Sequence, residues 1–371
     1  MPLSWQPFVD AVRSRRRFLL TTHVRPDPDG LGSMLGLAGA LAALDKDVSM
    51  VVSSVYPPRY DFMDPGKRIA RFHLPGDAYR SCEAVVVLDT GTWNQLGEFG
   101  DFLRTLSVPR FVIDHHPTQD DLGATRLVDV TAEATGRLVY DAIQALKAPV
   151  SKTIAQDLFA ALATDTGWFR HSNTSPATFA LAEALVRAGA NPTWLYEQIY
   201  EQNRLARLHL MGRVLERIKI AADGMIAYTE LRRADYQETG AIPSDSEDLV
   251  NFTRGMAGVE VGLFFMEQPE GGVKVSFRSR EKVNVSQIAE RFGGGGHRFA
   301  EGRLRERVQR ILKHKFGGVG KSARRLQRGV APLVHPVERS RESVVSTRQF
   351  RDVAKNADCH EFDSSPRLLP F

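Results

Sequence analysis

Arg110-Phe-Val-Ile113 followed by Asp114-His115-His116 is the stretch on which the fold turns. A short apolar run gives way at once to an acid and two imidazoles. That pattern describes a strand buried on both faces, delivering polar groups at its carboxyl end. The pattern recurs. Ala84-Val-Val-Val-Leu88 runs into Asp89, and Phe18-Leu-Leu-Thr-Thr22 runs into His23. Residues 48–53 form a further short apolar, β-prone run. Between the strands, residues 31–44 are rich in Ala, Leu and Gly, which predicts a helix packed closely on a sheet. Short apolar runs separated by helices predict an α/β layer with a parallel sheet.

Helices are then expected over 132–146, 152–163 and 175–188. The last has a Ser cap and stops before Gly189. A long helical stretch from 192 to about 219 would bridge to a second unit. Strands are expected there at 225–231, 260–266 and 272–279, with helices at 246–256 and 285–292. The division that follows is an N-terminal α/β domain over 1–190 and a helical linker over 191–220. A smaller α+β domain over 221–316 and a basic, disordered tail over 317–371 complete it.

Composition agrees with two soluble domains: 371 residues, 43% hydrophobic and 25% charged. The net charge of +5 is unevenly spread. Residues 303–371 carry 16 Lys+Arg against 7 Asp+Glu, and the remainder carries 33 against 37. The basic excess therefore belongs to the tail and is not a nucleic-acid footprint of the body. Two cysteines, Cys82 and Cys359, build neither a disulfide framework nor a zinc site, which suits a reducing, cytoplasmic setting. The apolar run after Arg13, Arg15, Arg16 and Arg17 is too short for a signal peptide. The run over 34–44 is too short to span a bilayer, so no membrane role is expected.

Four clusters carry the chemistry: His23-x-x-x-Asp27-x-Asp29, then Asp89, then Asp114-His115-His116, then Asp165. Three of them lie at carboxyl ends of expected parallel strands, where open α/β sheets place their sites. Taken singly, each has a plain explanation, since Asp27-Pro28-Asp29-Gly30 is a common turn sequence and an Asp after a strand is usually a cap. Taken together, Asp27, Asp29, Asp89 and Asp165 would bring about four negative charges to one crevice, and they could not all stay ionised unpaired. Two divalent cations would compensate them, and mixed carboxylate and imidazole ligation suits manganese, iron, cobalt or zinc. Two such ions about 3.5–4 Å apart can activate a shared water against a phosphate ester.

These residues resemble the DHH phosphoesterase superfamily. His23-Val-Arg-Pro-Asp27-Pro-Asp29-Gly-Leu-Gly-Ser33 is similar to its first motif and Leu88-Asp89-Thr90 to its second. Ile113-Asp114-His115-His116-Pro117 is similar to the third, and Thr164-Asp165-Thr166-Gly167 to the fourth. Gly293-Gly-Gly-Gly296-His297 resembles the signature of the associated C-terminal domain. The likeness covers about residues 15 to 302, and after His297 the chain departs from the family pattern. The resemblance implies metal ligands at His23, Asp27, Asp29, Asp89, His115 and Asp165, with Asp89 bridging two ions, Mn2+ foremost. It implies that Asp114 orients His115 or His116 and that His116 meets the phosphate or leaving group. It implies substrate contacts at Arg278, Asn284, Gly293, Gly294, Gly295, Gly296 and His297. Arg254, at the end of an expected helix, is a phosphate candidate by the forked geometry of arginine. Arg170, just after the fourth motif, is a further phosphate candidate.

Within the superfamily the domain pair looks like the nano-RNase type. The activity implied is hydrolysis of very short single-stranded RNA to 5′-mononucleotides, with phosphatase activity on 3′-phosphoadenosine 5′-phosphate, in a chain that could form a homodimer. A phosphodiesterase for linear or cyclic dinucleotides is the alternative enzyme. A non-catalytic nucleotide or RNA sensor is the alternative of another class, which degraded ligands would favour; every expected ligand is present.

Overall fold

A computed structural model of the protein describes residues 3–291 apart from Tyr56, Pro269, Glu270 and Glu281. The expectations placed on Gly293 to Gly296, on His297 and on residues 303–371 lie outside the described residues. The chain divides into two units, Met1–Gln202 and Asn203–Phe371.

The first unit holds a six-stranded sheet of β1 (Arg17–Thr21), β2 (Asp47–Val52), β3 (Ile69–Arg71), β4 (Ala84–Leu88), β5 (Arg110–Asp114) and β6 (Thr125–Val128). The order is β3-β2-β1-β4-β5-β6 and every pairing is parallel. Its helices are α1 (Gln6–Ser14), α2 (Pro28–Ala42), α3 (Trp93–Leu96), α4 (Glu98–Thr105), α5 (Thr135–Leu146), α6 (Lys152–Asp165), α7 (Pro176–Arg187) and α8 (Pro192–Tyr200). Strand residues alternate between two cores. Phe18, Leu20, Val86, Leu88 and Ile113 pack with α2, α5 and α6. Leu19, Val85, Val87 and Val112 pack with Leu96, Phe99, Phe102 and Leu103 of α3 and α4. Burial on both faces is why these strands read as unbroken apolar runs. Each valine so removed from water contributes about 1.5–3 kcal/mol.

The strand order reverses between β1 and β4. Chains leaving those two carboxyl ends turn to opposite sides of the sheet and open a crevice between them. His23 follows β1, Asp89 follows β4, and Asp114 ends β5.

Helix α2 starts three residues before the sequence suggests. Asp27 is its N-cap, with Oδ1 accepting from Asp29 N at 3.0 Å and Gly30 N at 3.2 Å. Pro28 sits at the first helical position, where its missing N–H costs nothing. A sequence that is a turn by local rules is therefore the first turn of a helix. Helix α6 extends past the expected end, so Asp165 lies on its last turn rather than in the following loop. The two helices meet along a glycine seam. A Cβ at Gly32 would lie 2.3 Å from the Asp157 carbonyl oxygen, and one at Gly36 2.8 Å from Leu158 Cδ2. That seam brings Asp29 on α2 toward Asp165 on α6.

The second unit contains α9 (Leu205–Glu216), β7 (Lys219–Ala221), β8 (Ile226–Leu231), α10 (Arg233–Thr239), α11 (Val250–Arg254), β9 (Val261–Glu267), β10 (Val273–Ser279) and α12 (Val285–Arg291). Its mixed sheet runs β10-β9-β8-β7, with β8 and β9 parallel and the outer pairs antiparallel. The expected single helical stretch over 192–219 is two helices, α8 and α9, interrupted at 201–204. Leu195 of α8 joins the first unit's core, and Leu210 and Val214 of α9 join the second's. The expected 246–256 helix shrinks to α11. Asp245 accepts from Ile242 N at 2.8 Å and Asp248 takes a left-handed φ of 66°, which together end regular helix there.

Candidate metal centre

Three groups of potential ligands converge at the crevice: His23, Asp27 and Asp89; Asp89, His115 and His116; and Asp29, His115 and Asp165. All seven residues come from the motifs named above, carried by β1, α2, β4, β5 and α6. Asp89 belongs to two groups because its two oxygens face different ways. Oδ2 lies 3.4 Å from His23 Nε2, and Oδ1 lies 3.7 Å from His115 Nε2.

Both buried-side imidazoles have their tautomers set by backbone. His23 Nδ1 donates to Val24 O and His115 Nδ1 donates to Ala132 O, each at 3.1 Å. Their Nε2 atoms are thereby turned to carboxylates; His115 Nε2 lies 3.7 Å from Asp29 Oδ2 and 3.5 Å from Asp165 Oδ2. An imidazole held by a carbonyl on one nitrogen and presented to acids on the other is the arrangement a metal ligand requires. His116 differs. Its Nδ1 donates to Asp114 Oδ1 at 2.7 Å, so that nitrogen is engaged by the fully buried Asp114. His23 packs over the start of α2, where a Cβ at Gly30 would come 3.2 Å from its Nε2 and 2.4 Å from Thr22 Oγ1.

Electrostatics test whether cations suit this set. Burial, with the charges of Asp89 and Asp165, pushes the Asp29 carboxyl well up. Burial, joined by Asp89 and Asp27, pushes Asp165 to about 7 against the pull of His115 and His116. Burial also works against charge on Asp89, yet the His23 hydrogen bond and the charges of His116, His23 and His115 hold it well below the usual range. On His116 burial is outweighed by the Asp114 hydrogen bond and by Asp89, Asp114 and Asp165, which raise it to about 9. His23 is raised in the same way by Asp27 and Asp89. Without cations, protons on acids and imidazoles carry the compensation, and divalent ions would replace them. The donor set fits divalent metal.

Several groups here escape a reading of sequence. Thr135 N and Gly136 N, at the start of α5, donate to Asp29 Oδ2 and Oδ1 at 2.8 and 2.9 Å. Thr135 Oγ1 donates to Asp89 Oδ1 at 2.8 Å. The expected helix start at 132 hid these donors, because only the first turn of a helix has free N–H groups. Gln119 Nε2 donates to Asp114 Oδ2, a contact with no signal in the motif.

Arg170 Nε donates to Gly167 O at 2.7 Å, which ties it to the turn after Asp165. That turn is left-handed at Gly167, Trp168 and Phe169, and the two rings pack on Phe159. In the second unit, Arg254 ends α11 and its carbonyl accepts from Arg280 Nη2 at 3.2 Å. Arg278 is half-buried on β10, donating to Phe277 O at 3.2 Å. Asn284 Oδ1 accepts from Gln287 N at 3.4 Å, the contact of an N-cap on α12.

No helix among the described residues is long and apolar enough to cross a membrane. Residues 17–164 match the DHH family N-terminal domain, and residues 223–316 match the DHHA1 domain. The chain is 33% identical, over 75% of its length and 81% of the relative's, to the bifunctional oligoribonuclease and PAP phosphatase NrnA of Thermus thermophilus. It is 26% identical to the protein of the same name from Bacillus subtilis, over 76% and 88% of the two chains. An exopolyphosphatase-related protein from Bacteroides fragilis shares the fold, with a TM-score of 0.80 and 24% identity over 88% of this chain and 95% of that one. Motifs, fold and relatives agree: this hydrolase belongs to the DHH family of phosphoesterases, as a DHH domain followed by a DHHA1 domain.

Proposed function

We propose that the chain hydrolyses very short single-stranded RNA to 5′-mononucleotides and also removes phosphate from 3′-phosphoadenosine 5′-phosphate, with two divalent cations, Mn2+ foremost. The likeness to the Thermus thermophilus oligoribonuclease and PAP phosphatase across most of both chains carries the choice of substrate. His23, Asp27, Asp29, Asp89, His115 and Asp165 would hold the cations. Bound there, the cations would acidify water and neutralise charge on a phosphoryl oxygen.

The protein's own groups have these parts in the reading. Asp89 serves both ligand groups, one oxygen toward His23 and the other toward His115. Asp29 keeps its place because α5 donates two N–H groups to it. Asp114 holds His116 by Nδ1, and the ring's Nε2 is assigned to donate to a phosphate oxygen or the leaving group. Arg170 in the first unit, and Arg254, Arg278, Asn284, Gly293 to Gly296 and His297 in the second, are assigned to phosphate and base. A homodimer in the cytoplasm completes the reading, with sedimentation as the test of the dimer.

The decisive assay supplies Mn2+ and a panel: 5′-phosphorylated RNA from dimer to pentamer, a 24-mer, 3′-phosphoadenosine 5′-phosphate, linear and cyclic diadenylate, and pyrophosphate. An Asp89→Asn variant is the control. Preference for the shortest RNAs, lost in the control, is the expected result. Cleavage of cyclic diadenylate or pyrophosphate alone would overturn the substrate.

A further inference from the structure

Gln119 lies two residues beyond the third motif, yet its side chain reaches back into it. Nε2 donates both to Asp114 Oδ2 and to the His116 carbonyl, the latter at 3.1 Å. Both partners only accept, so the amide must present its nitrogen to them. Among the described residues, Oε1 is then left buried with no hydrogen-bond partner. A buried amide oxygen without a donor is a standing cost, and a leucine or methionine would avoid it.

The side chain also lies on the loop that leaves Asp89. A Cβ at Gly91 would sit 1.7 Å from Gln119 Oε1 and 2.3 Å from its Cδ, so Gly91 leaves the room that Gln119 occupies. Backbone contacts pin the same two segments. Gly91 and Gln119 form an isolated parallel bridge, and Asp120 N donates to Gly91 O at 2.8 Å. Trp93 N donates to Asp120 Oδ2 at 2.9 Å.

Asp114 thus has each oxygen assigned. Oδ1 accepts from His116 N at 3.1 Å and from His116 Nδ1 at 2.7 Å, while Oδ2 accepts from Gln119. A carboxylate held at one oxygen only can rotate about its last bond. Held at both, it fixes the direction of the imidazole. We infer that Gln119 is a positioning residue, which locks the Asp114 carboxylate and through it the orientation of His116, and that Gly91 is glycine to admit it. The inference rests on the reading of His116 as the group that meets phosphate or leaving oxygen.

The test uses the full chain with Gln119→Met, which keeps length and removes the amide, and Gly91→Ala, which pushes the amide out and leaves its chemistry intact. Activity on the 5′-phosphorylated RNA dimer is measured alongside Mn2+ affinity by calorimetry and thermal unfolding. Either variant is expected to lower kcat about tenfold, the worth of a hydrogen bond to a charged group. KM and Mn2+ affinity are expected to stay within about twofold of the parent. In a His116→Ala background neither change should lower kcat further. An equal loss in that background, or unchanged kcat in both variants, overturns the inference. A second readout needs no turnover. In 15N-imidazole spectra of the Mg2+-loaded protein, assigned by loss of the signal in His116→Ala, the Nδ1–H resonance of His116 should shift or broaden in both variants. If it does not move, Gln119 does not position His116. If it moves while the parent cleaves no RNA, the substrate reading fails and the positioning role stands.

Discussion

Asp89 carries a left-handed backbone, with φ at 62°, at the point where it joins two groups of potential metal ligands. Aspartate and asparagine tolerate this region, whereas alanine pays about 1–2 kcal/mol for it. Asp89→Asn and Asp89→Ala are therefore both expected to abolish hydrolysis, with the alanine variant less stable by about 1 kcal/mol. Metal-free denaturant unfolding of the pair checks this, and equal stabilities would show that the backbone at 89 is unstrained. Asp157 is a second residue whose chemistry is set by burial. It lies within α6, where burial, with the charge of Asp64 and against the pull of Arg68, pushes its carboxyl to about 8. Unfolded, it titrates at about 3.9. Between those values the folded chain keeps a proton that the unfolded chain has lost, so this residue's contribution to stability falls as pH rises from about 4 to 8. Asp157→Asn should raise the melting temperature more at pH 8 than at pH 5. An equal gain at both would rule out the buried acid as the cause.

Among the elements, α2 and α6 matter most to the centre, because Asp29 rides on one and Asp165 on the other. Their approach depends on Gly32, whose Cβ would press on the Asp157 carbonyl, a backbone atom that cannot rotate aside. Gly32→Ala is expected to cost about 1–3 kcal/mol, the range for overpacking a dense interior. It is also expected to weaken Mn2+ binding by separating Asp29 from Asp165. Chemical denaturation with metal titration checks both, and a stable variant with parental metal affinity would mean that the seam yields. At the start of α2, Asp27-Pro28-Asp29-Gly30 shows why element boundaries are poorly legible. The same four residues suit a turn or a capped first helical turn, and local preference does not choose. The Asp29 carboxylate, taken up by α5 from more than a hundred residues away, favours the helix.

At the scale of the whole molecule, cations that bind the folded first unit and not the unfolded chain stabilise it by mass action, about 2.7 kcal/mol at a hundredfold excess over Kd. Mn2+ should therefore raise the melting temperature and chelator should reverse the gain. Hydrogen exchange should slow in β1, β4 and β5 and not in β8, β9 and β10; slowing confined to the second unit's strands would put the metal elsewhere. What the sequence determined by itself is the α/β class, the crevice edge and the seven acidic and imidazole residues that meet there. Strands buried on both faces must be written as apolar runs, and a motif must supply its own acids and imidazoles. What only the tertiary structure decided is how those groups are held. The N–H pair at Thr135 and Gly136, the amide of Gln119 over Gly91, and the approach of α2 to α6 join residues distant in the chain. Each is an ordinary residue by local rules, and its role arises from the backbone geometry that surrounds it once the sheet has closed its two cores.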